Sequence, residues 1–100
     1  MYKNLPEFYL EIWREREHIC TGCGKYLGRE PLSYFFSHTI KKNHSPHLKF
    51  EKDNIELECD KCHVNWDYGA LHKKKALKNF EKKMAYVLEK DPILHDKILS

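Results

Sequence analysis

Two pairs of cysteines constrain what this chain can fold into more than any other feature. Cys20 and Cys23 form the first pair, and Cys59 and Cys62 form the second. A C-x2-C turn supplies two thiolate ligands from one tight bend, so two such turns complete the tetrahedral coordination of a structural zinc. Gly24 directly follows the first pair and favours the bend. We therefore expect the four sulfurs to meet at one structural zinc ion.

The cellular compartment decides between this interpretation and its alternatives, a redox-active C-x2-C motif or two unrelated pairs. The first residues lack the basic start, apolar segment and small-residue cleavage site of a secretory signal. No apolar run approaches the roughly twenty residues that span a bilayer, so no membrane partner is expected. We therefore expect a cytoplasmic protein, in a compartment where cysteine pairs more often bind metal than form disulfides.

The length of the chain is that of one small domain whose core needs reinforcement. Hydrophobic residues make up 41% of its 100 residues, which is enough for a modest core, but a chain this short buries a small share of its surface. We expect a single domain over residues 1–100, α+β in class, with a zinc-stapled core at about residues 18–70. Apolar residues at helical spacing predict a flanking helix at about residues 5–17 and a C-terminal helical extension over about residues 71–100.

Two short strands are expected between the cysteine pairs. Residues 34–36 form an aromatic run of strand type, which carries His38 at its exit. Residues 48–50 are also expected to be extended, after a polar turn. In residues 55–59, apolar residues alternate with two glutamates, and this period of two predicts a half-buried strand. A helix over about residues 60–71 follows, beginning at the second cysteine pair.

Three polar residues in this region suit the hydrolysis of a phosphodiester. Asn54 lies sixteen residues after His38 and nine residues before His63. The reaction needs a base that activates water and a cation that holds the scissile phosphate. We assign the base to His38, because a neutral imidazole can act near physiological pH, and Asn54 would pin the two strands through its amide. His63 and Asp67, four residues apart on one helix face, would coordinate a catalytic Mg²⁺ or Mn²⁺.

Two motifs in this region resemble known nucleases. The pattern N-x4-C-x2-C-H over residues 54–63 resembles the HNH endonucleases, whose core is the ββα-metal fold. The pattern F-S-H-x7-P-x-L-K-F-x3-N over residues 36–54 is more closely similar to the phage NinG/Rap recombination nucleases. The resemblance, which covers about residues 12–69, implies metal-dependent cleavage of branched or single-stranded DNA in a phage or its bacterial host. Symmetric cleavage of a junction would require a homodimer.

When the family's roles are assigned to matching positions, the resemblance implies that His38 is the base, Asn54 the orienting residue and His63 a metal ligand. One departure concerns Ser37, because many HNH enzymes place Asp, Glu or His there as a further cation ligand. We take Asp67 as the substitute for that ligand. Three lysines near His38 are expected to contact DNA phosphates: Lys41, Lys42 and Lys49. Lys49 stands at a position where the family has a basic residue.

Each of these assignments has a simpler alternative. His38 would then be a core histidine with a backbone partner, Asn54 a turn residue and Asp67 a solvated helix residue. His63 would replace Cys62 as a zinc ligand, since zinc accepts nitrogen as readily as sulfur. At the level of the whole chain, the alternatives are a zinc-stabilised DNA-binding module without catalytic turnover and a protein-interaction domain whose zinc staples a small core.

The charge of the chain is informative in its distribution rather than its sum. With 18 Lys and Arg against 15 Asp and Glu, the net charge of +3 does not by itself indicate a nucleic-acid partner. Residues 71–90, however, contain seven lysines and only two glutamates. Such a stretch can follow a DNA backbone, although a lysine-rich helix face is commonly just solvated.

Overall fold

A computed structural model describes residues 3–100, which form an α+β fold around a two-stranded antiparallel sheet. The strands are β1 (Phe36–His38) and β2 (Ile55–Leu57), paired so that His38 lies opposite Ile55. The helices in the described part of the chain are α1 (Leu5–Glu15), α2 (Asp60–Tyr68), α3 (Leu71–Lys75), α4 (Phe80–Lys90) and α5 (Pro92–Leu99). Among the described residues, no helix has the length and apolar character that crossing a membrane requires.

The predicted first helix is confirmed, with an end at Glu15 rather than near residue 17. It begins where the Asn4 side chain accepts a hydrogen bond from the Glu7 backbone N–H at 2.9 Å, which satisfies one of the free donors of the first turn. Its buried residues are Phe8 and Ile12, each 0% exposed, together with Trp13. This apolar stripe fixes α1 against the sheet and leaves its acidic face in solvent.

The extended conformation expected for residues 48–50 is wrong. The chain instead forms a 3₁₀ turn at Pro46–Leu48, in which the Lys49 N–H donates to the Pro46 carbonyl at 3.2 Å. Pro46 has its φ fixed at a value that suits the first position of such a turn. The turn brings Leu48 into the core, where its side chain is 5% exposed. It also directs the next carbonyl, that of Lys49, toward β1.

The half-buried character expected for β2 is also wrong, because both glutamates that alternate with its apolar residues are buried. Glu56 is 3% exposed and Glu58 is 0% exposed. The reason is that α4 and the residue before it cover this face. Lys83 Nζ lies 2.8 Å from Glu58 Oε1, Asn79 Nδ2 donates to Glu58 Oε2 at 2.8 Å, and Lys82 Nζ lies 3.0 Å from Glu56 Oε2.

Lys83 connects the C-terminal helices to every element of the strand-strand-helix core. Its ammonium group, 1% exposed, donates to Ser37 Oγ of β1 at 3.2 Å and lies 4.6 Å from the ring centroid of Trp66 in α2. Burial lowers the pKa of Lys83, while the Glu58 carboxylate acts in the opposite direction. Inside the core, each charge of the Lys83–Glu58 pair therefore depends on the opposite charge beside it.

One hydrophobic cluster joins the flanking helices to the sheet. Its members from α4 are Phe80, Met84 and Val87, which pack in the same cluster as the buried residues of α1 and of both strands. The helix predicted over about residues 60–71 ends earlier, at Tyr68, with Gly69 as its C-cap. The helical extension predicted over about residues 71–100 consists of three helices, α3, α4 and α5.

Lys83→Met should lower the free energy of unfolding by about 3–5 kcal/mol, because it leaves the buried Glu58 carboxylate without its cation. Urea denaturation followed by circular dichroism measures the change. Lys97→Met is the matched control, since Lys97 is exposed. Adding Glu58→Gln to the variant should recover part of the loss, and a loss below about 1 kcal/mol, as for a surface ion pair, would contradict the argument.

Candidate metal centre and active-site cleft

The four cysteines meet at one point, as their spacing predicted. Their Sγ atoms all lie within 4.8 Å of one another, and Cys23 Sγ and Cys59 Sγ are 3.8 Å apart. Sulfurs placed tetrahedrally at about 2.3 Å from a zinc ion would be about 3.8 Å apart. All four cysteines are free thiols. The cluster could therefore hold a structural metal ion such as zinc.

Two glycines allow the cysteine turns to close on one another. Gly24 has a φ of +85°, and its N–H donates to the Cys20 carbonyl at 2.8 Å, which closes the first turn. A Cβ atom on Gly22 would lie 2.9 Å from both Cβ and Sγ of Cys62. A larger residue at position 22 would push the two turns apart, so this approach explains the glycine between the first two cysteines.

The protonation chemistry of the cluster favours a bound cation. Burial raises the pKa of the Cys62 thiol, and the neighbouring sulfurs of Cys20 and Cys59 raise it further. Four adjacent thiolates would repel one another in the absence of a positive charge among them. A divalent cation removes this conflict, because it binds the deprotonated form of each ligand.

A cleft of about 470 Å³ collects the residues to which the sequence assigned chemistry. Its walls come from α1, β1, the loop after β1 and α2. The three residues proposed as base and cation ligands all line it: His38, His63 and Asp67. The cleft and the cysteine cluster are held together by α2, because Cys62 and His63 are adjacent in its first turn.

His38 is held as a neutral ring. Its Nε2 lies 3.1 Å from the backbone carbonyl oxygen of Lys49, which can only accept, so Nε2 carries the hydrogen. Burial lowers the pKa of His38 to about 4, with Lys42 adding to the shift and the Lys49 carbonyl opposing it. At neutral pH the ring is therefore uncharged, and Nδ1 holds a lone pair that can take a proton.

Asn54 lies behind this arrangement and does not line the cleft. It is 0% exposed, and its Oδ1 accepts from the Ile40 N–H at 2.8 Å. Its Nδ2 donates to the carbonyl oxygens of Ile40 at 3.0 Å and of Leu48 at 3.3 Å. The amide thus ties the segment after β1 to the turn that supplies the Lys49 carbonyl. This geometry makes Asn54 a positioning residue for His38.

His63 and Asp67 form a pair on one face of α2. His63 Nδ1 donates to the Tyr34 carbonyl oxygen at 2.6 Å, and its Nε2 lies 3.2 Å from Asp67 Oδ2. The hydrogen bond to Asp67 raises the pKa of His63. Asp67 Oδ1 is buried and has no hydrogen-bond partner in the described part of the chain. A carbonyl that fixes the far nitrogen of a histidine is typical of metal-ligating imidazoles, so the pair fits a cation placed between Nε2 and the carboxylate.

The alternative in which His63 replaces Cys62 at the zinc does not match this geometry. The four cysteine sulfurs form the metal-binding group, and both nitrogens of His63 are engaged on the cleft side of α2. Ser37 also faces away from the cleft, because successive side chains of a strand point to opposite sides. Its Oγ contacts Lys83 instead. Position 37 is therefore not where a further cation ligand would enter this cleft.

The three lysines expected to contact phosphate differ in their positions. Lys41 and Lys42 line the cleft, and Lys41 Nζ donates to the Asp67 backbone carbonyl at 3.2 Å while lying 4.5 Å from the ring centroid of Tyr68. Lys49 Nζ lies 5.1 Å from the ring centroid of Phe50 and is not among the residues of the cleft wall. Lys49 contributes its backbone carbonyl to the site rather than its charge.

Sequence reasoning missed the aromatic wall of the cleft. Tyr9 stacks on Phe36 with their centroids 4.3 Å apart, and Tyr34 lines the same wall. Tyr9 lies on the helix predicted as scaffold, and no side-chain pattern marks Tyr34 as the residue whose carbonyl orients His63. Trp66 is 3% exposed and donates from Nε1 to the Thr39 carbonyl, so it is not a free stacking surface.

Comparison of the chain with protein-family models, curated proteins and solved structures finds no match. The resemblance to the HNH and NinG/Rap nucleases therefore stays a prediction from the motifs.

Cys20→Ser, or treatment with a strong zinc chelator, should unfold the protein. Zinc binding to tetrahedral cysteine sites contributes about 10–16 kcal/mol in small domains, which exceeds the net stability of most proteins this size. Zinc content by atomic absorption and helicity by circular dichroism should fall together. Added zinc should restore the chelated wild type but not the variant. A metal-free protein that keeps its helicity would contradict a structural zinc.

Asn54→Ala should lower the free energy of unfolding by about 2 kcal/mol or more, because it leaves the buried N–H and carbonyl groups of Ile40 without these partners, at about 1–3 kcal/mol each, whereas the Leu48 carbonyl keeps the Glu51 N–H. Asn54→Asp should be at least as destabilising, because it turns a carboxylate oxygen toward the carbonyl oxygens of Ile40 and Leu48. Chemical denaturation measures both. Asn43→Ala is the control at an exposed asparagine, and equal stability of the two alanine variants would exclude the positioning role.

Proposed function

We propose that this protein is a divalent-cation-dependent DNA endonuclease of the HNH type, with the strands, loop and α2 as its ββα-metal core. The observation that carries the proposal is the meeting, in one cleft, of a neutral His38 with a fixed tautomer and the His63–Asp67 pair. A base beside a cation site is the minimum that metal-assisted phosphodiester hydrolysis requires. The cysteine cluster supports the proposal by fixing the start of α2, and therefore the position of His63.

The reaction follows from the protonation states. A water molecule in the cleft gives a proton to His38 Nδ1 as its oxygen forms a bond to phosphorus, and the bond to the leaving oxygen breaks. The leaving oxygen then takes a proton from solvent. A cation held by His63 and Asp67 would supply charge stabilisation at the phosphate. Two protein ligands are sufficient for such a cation when phosphate oxygens and water complete its coordination, as is common for Mg²⁺.

The basic residues of the cleft favour a nucleic-acid substrate. Lys41 and Lys42 place two positive charges at the wall that contains His38, where they can hold phosphates next to the scissile bond. The resemblance to the NinG/Rap nucleases favours branched or single-stranded recombination intermediates as the substrate, and a phage or bacterial cytoplasm as the setting.

His38→Ala should lower the rate of DNA cleavage by about 10²- to 10⁴-fold, the usual contribution of a general base. Supercoiled plasmid and a synthetic four-way junction, incubated with Mg²⁺ or Mn²⁺ and analysed on gels, provide the measurement. His47→Ala is the matched control, because His47 is exposed and lies outside the cleft. It should cleave at the wild-type rate.

Other outcomes would distinguish the remaining functions. Binding of junction DNA without cleavage by the wild type would identify a zinc-stabilised DNA-binding module, and neither binding nor cleavage would favour a protein-interaction domain. Cleavage that persists in His38→Ala but disappears on chelation of the divalent cation would place the base elsewhere.

A further inference from the structure

A second cavity, of about 550 Å³, lies over the cysteine turns. We call it the knuckle groove. Cationic or titratable side chains from three separate segments enter its wall, and none of its lining residues is acidic: Lys25 from the first turn, Lys61 from α2, and His72 and Lys73 from α3. Residues distant in sequence thus place positive charge around one concave surface, whose lining also includes three of the clustered cysteines: Cys23, Cys59 and Cys62. The nuclease proposal gives these basic side chains no role.

The lysines of the groove differ from those lysines of residues 71–90 that form ion pairs. Lys82, Lys83 and Lys90 each lie within 4.0 Å of a carboxylate, at Glu56, Glu58 and Glu51 respectively. Among the described residues, Lys25, Lys61 and Lys73 are exposed and enter no such ion pair. Three lysines of residues 71–90 thus have structural partners, whereas the charge of Lys73 is available to a ligand, as are those of Lys25 and Lys61 from other segments. The exposed Lys75 and Lys78 also form no such ion pair but lie outside the groove.

The negative charge of a zinc-bound cysteine cluster would offset only part of the positive charge of the groove. Zinc with four thiolates carries a net charge of about −2, whereas the three lysines supply three positive charges. A positive excess thus remains on the wall of an open groove. A ligand suited to this surface is a chain of phosphates, because lysines act as point charges that follow a polyanionic backbone without requiring one fixed geometry.

The position of the groove relative to the cleft favours one ligand for both. His63 and Asp67 of α2 line the cleft, while Lys61 and Asn65 of the same helix line the groove. The two cavities are therefore separated by roughly the thickness of one helix, about 10–12 Å. The grooves of B-DNA separate phosphate backbones by about 6–12 Å, so a duplex that crosses the exposed face of α2 could contact both cavities.

We propose that the knuckle groove binds the sugar-phosphate backbone of DNA on the far side of α2 from the cleft, through Lys25, Lys61 and Lys73. This inference rests on the proposed function, and it adds a second, non-catalytic anchoring surface to it. The zinc centre would then have two roles, since it fixes α2 for the cleft and also holds the first turn and α2 where their lysines converge.

The test uses zinc-loaded protein carrying His38→Ala, so that binding is measured without cleavage. A triple variant removes the groove charges: Lys25→Gln, Lys61→Gln and Lys73→Gln. Fluorescence anisotropy with a short DNA duplex should show Kd rising on the order of 10- to 100-fold at about 0.1 M salt, and the slope of log K against log salt falling by about 2–3, for three lost phosphate contacts.

A second triple variant changes the net charge equally at exposed positions outside both cavities: Lys3→Gln, Arg29→Gln and Lys97→Gln. It should keep a slope close to that of the parent. Equal effects of the two triple variants would overturn the proposal, because net charge alone would then explain the binding. Loss of zinc from the first variant with an unchanged salt slope would also overturn it and would leave those lysines as counter-charges of the thiolates.

Two further outcomes separate this inference from the nuclease itself. A wild type that binds DNA but never cleaves it contradicts the proposed catalysis, and the salt slopes still test the groove. Persistent cleavage by a triple variant that keeps His38, together with a parental salt slope for the same triple variant in the His38→Ala background, contradicts the groove alone. A polyglutamate peptide that binds more tightly than DNA, with the same dependence on the three lysines, would replace the nucleic acid with an acidic protein partner.

Discussion

The four cysteine sulfur atoms lie at one point and join the N-terminal part of the chain, which contains α1, to the part that begins with α2. The first cysteine turn lies directly after α1, and the second opens α2, so a metal ion between them would fix the helix that contains His63. The close approach at Gly22 leaves no room for the turns to shift. In a chain with a small core, hydrophobic burial alone contributes little stability, and metal coordination by four cysteines would add to it.

The cleft depends on this constraint on one side and on the Asn54 amide on the other. The cysteine cluster lies at the start of the helix, and Asn54 positions the turn whose carbonyl holds His38. Asn54 is fully buried, and three of the four cysteines are buried. His38 and the candidate cation ligands are therefore oriented before any ligand enters, which is the condition under which electrostatic stabilisation costs no reorganisation.

Much of this arrangement was predictable, because some residue types have only a few structural uses. C-x2-C spacing predicted the sulfur cluster, and apolar residues at helical spacing predicted α1. The contributions of Lys49 and Tyr34 could not be predicted, since they act through backbone carbonyls, and every residue has one.

The buried face of β2 was not predictable for a different reason. The alternation of apolar residues with Glu56 and Glu58 is typical of a strand with one solvated face. The glutamates are buried because Lys83 on α4 pairs with Glu58. Lys83 stands in a stretch of seven lysines, and nothing local distinguishes the one that is buried. Ion pairs between residues distant in sequence have no periodic signal.

The burial of Lys83 also makes the part of the chain up to α2 dependent on α4. A fragment ended after α2 would retain both cysteine pairs and all the residues of the cleft, but it would lack the cation that Glu58 faces and the apolar side chains of α4. The sheet would then present an acidic, uncovered side to water. The helices that follow α2 are thus an inseparable part of the architecture, and an insertion or truncation at their start would disturb the sheet behind the cleft.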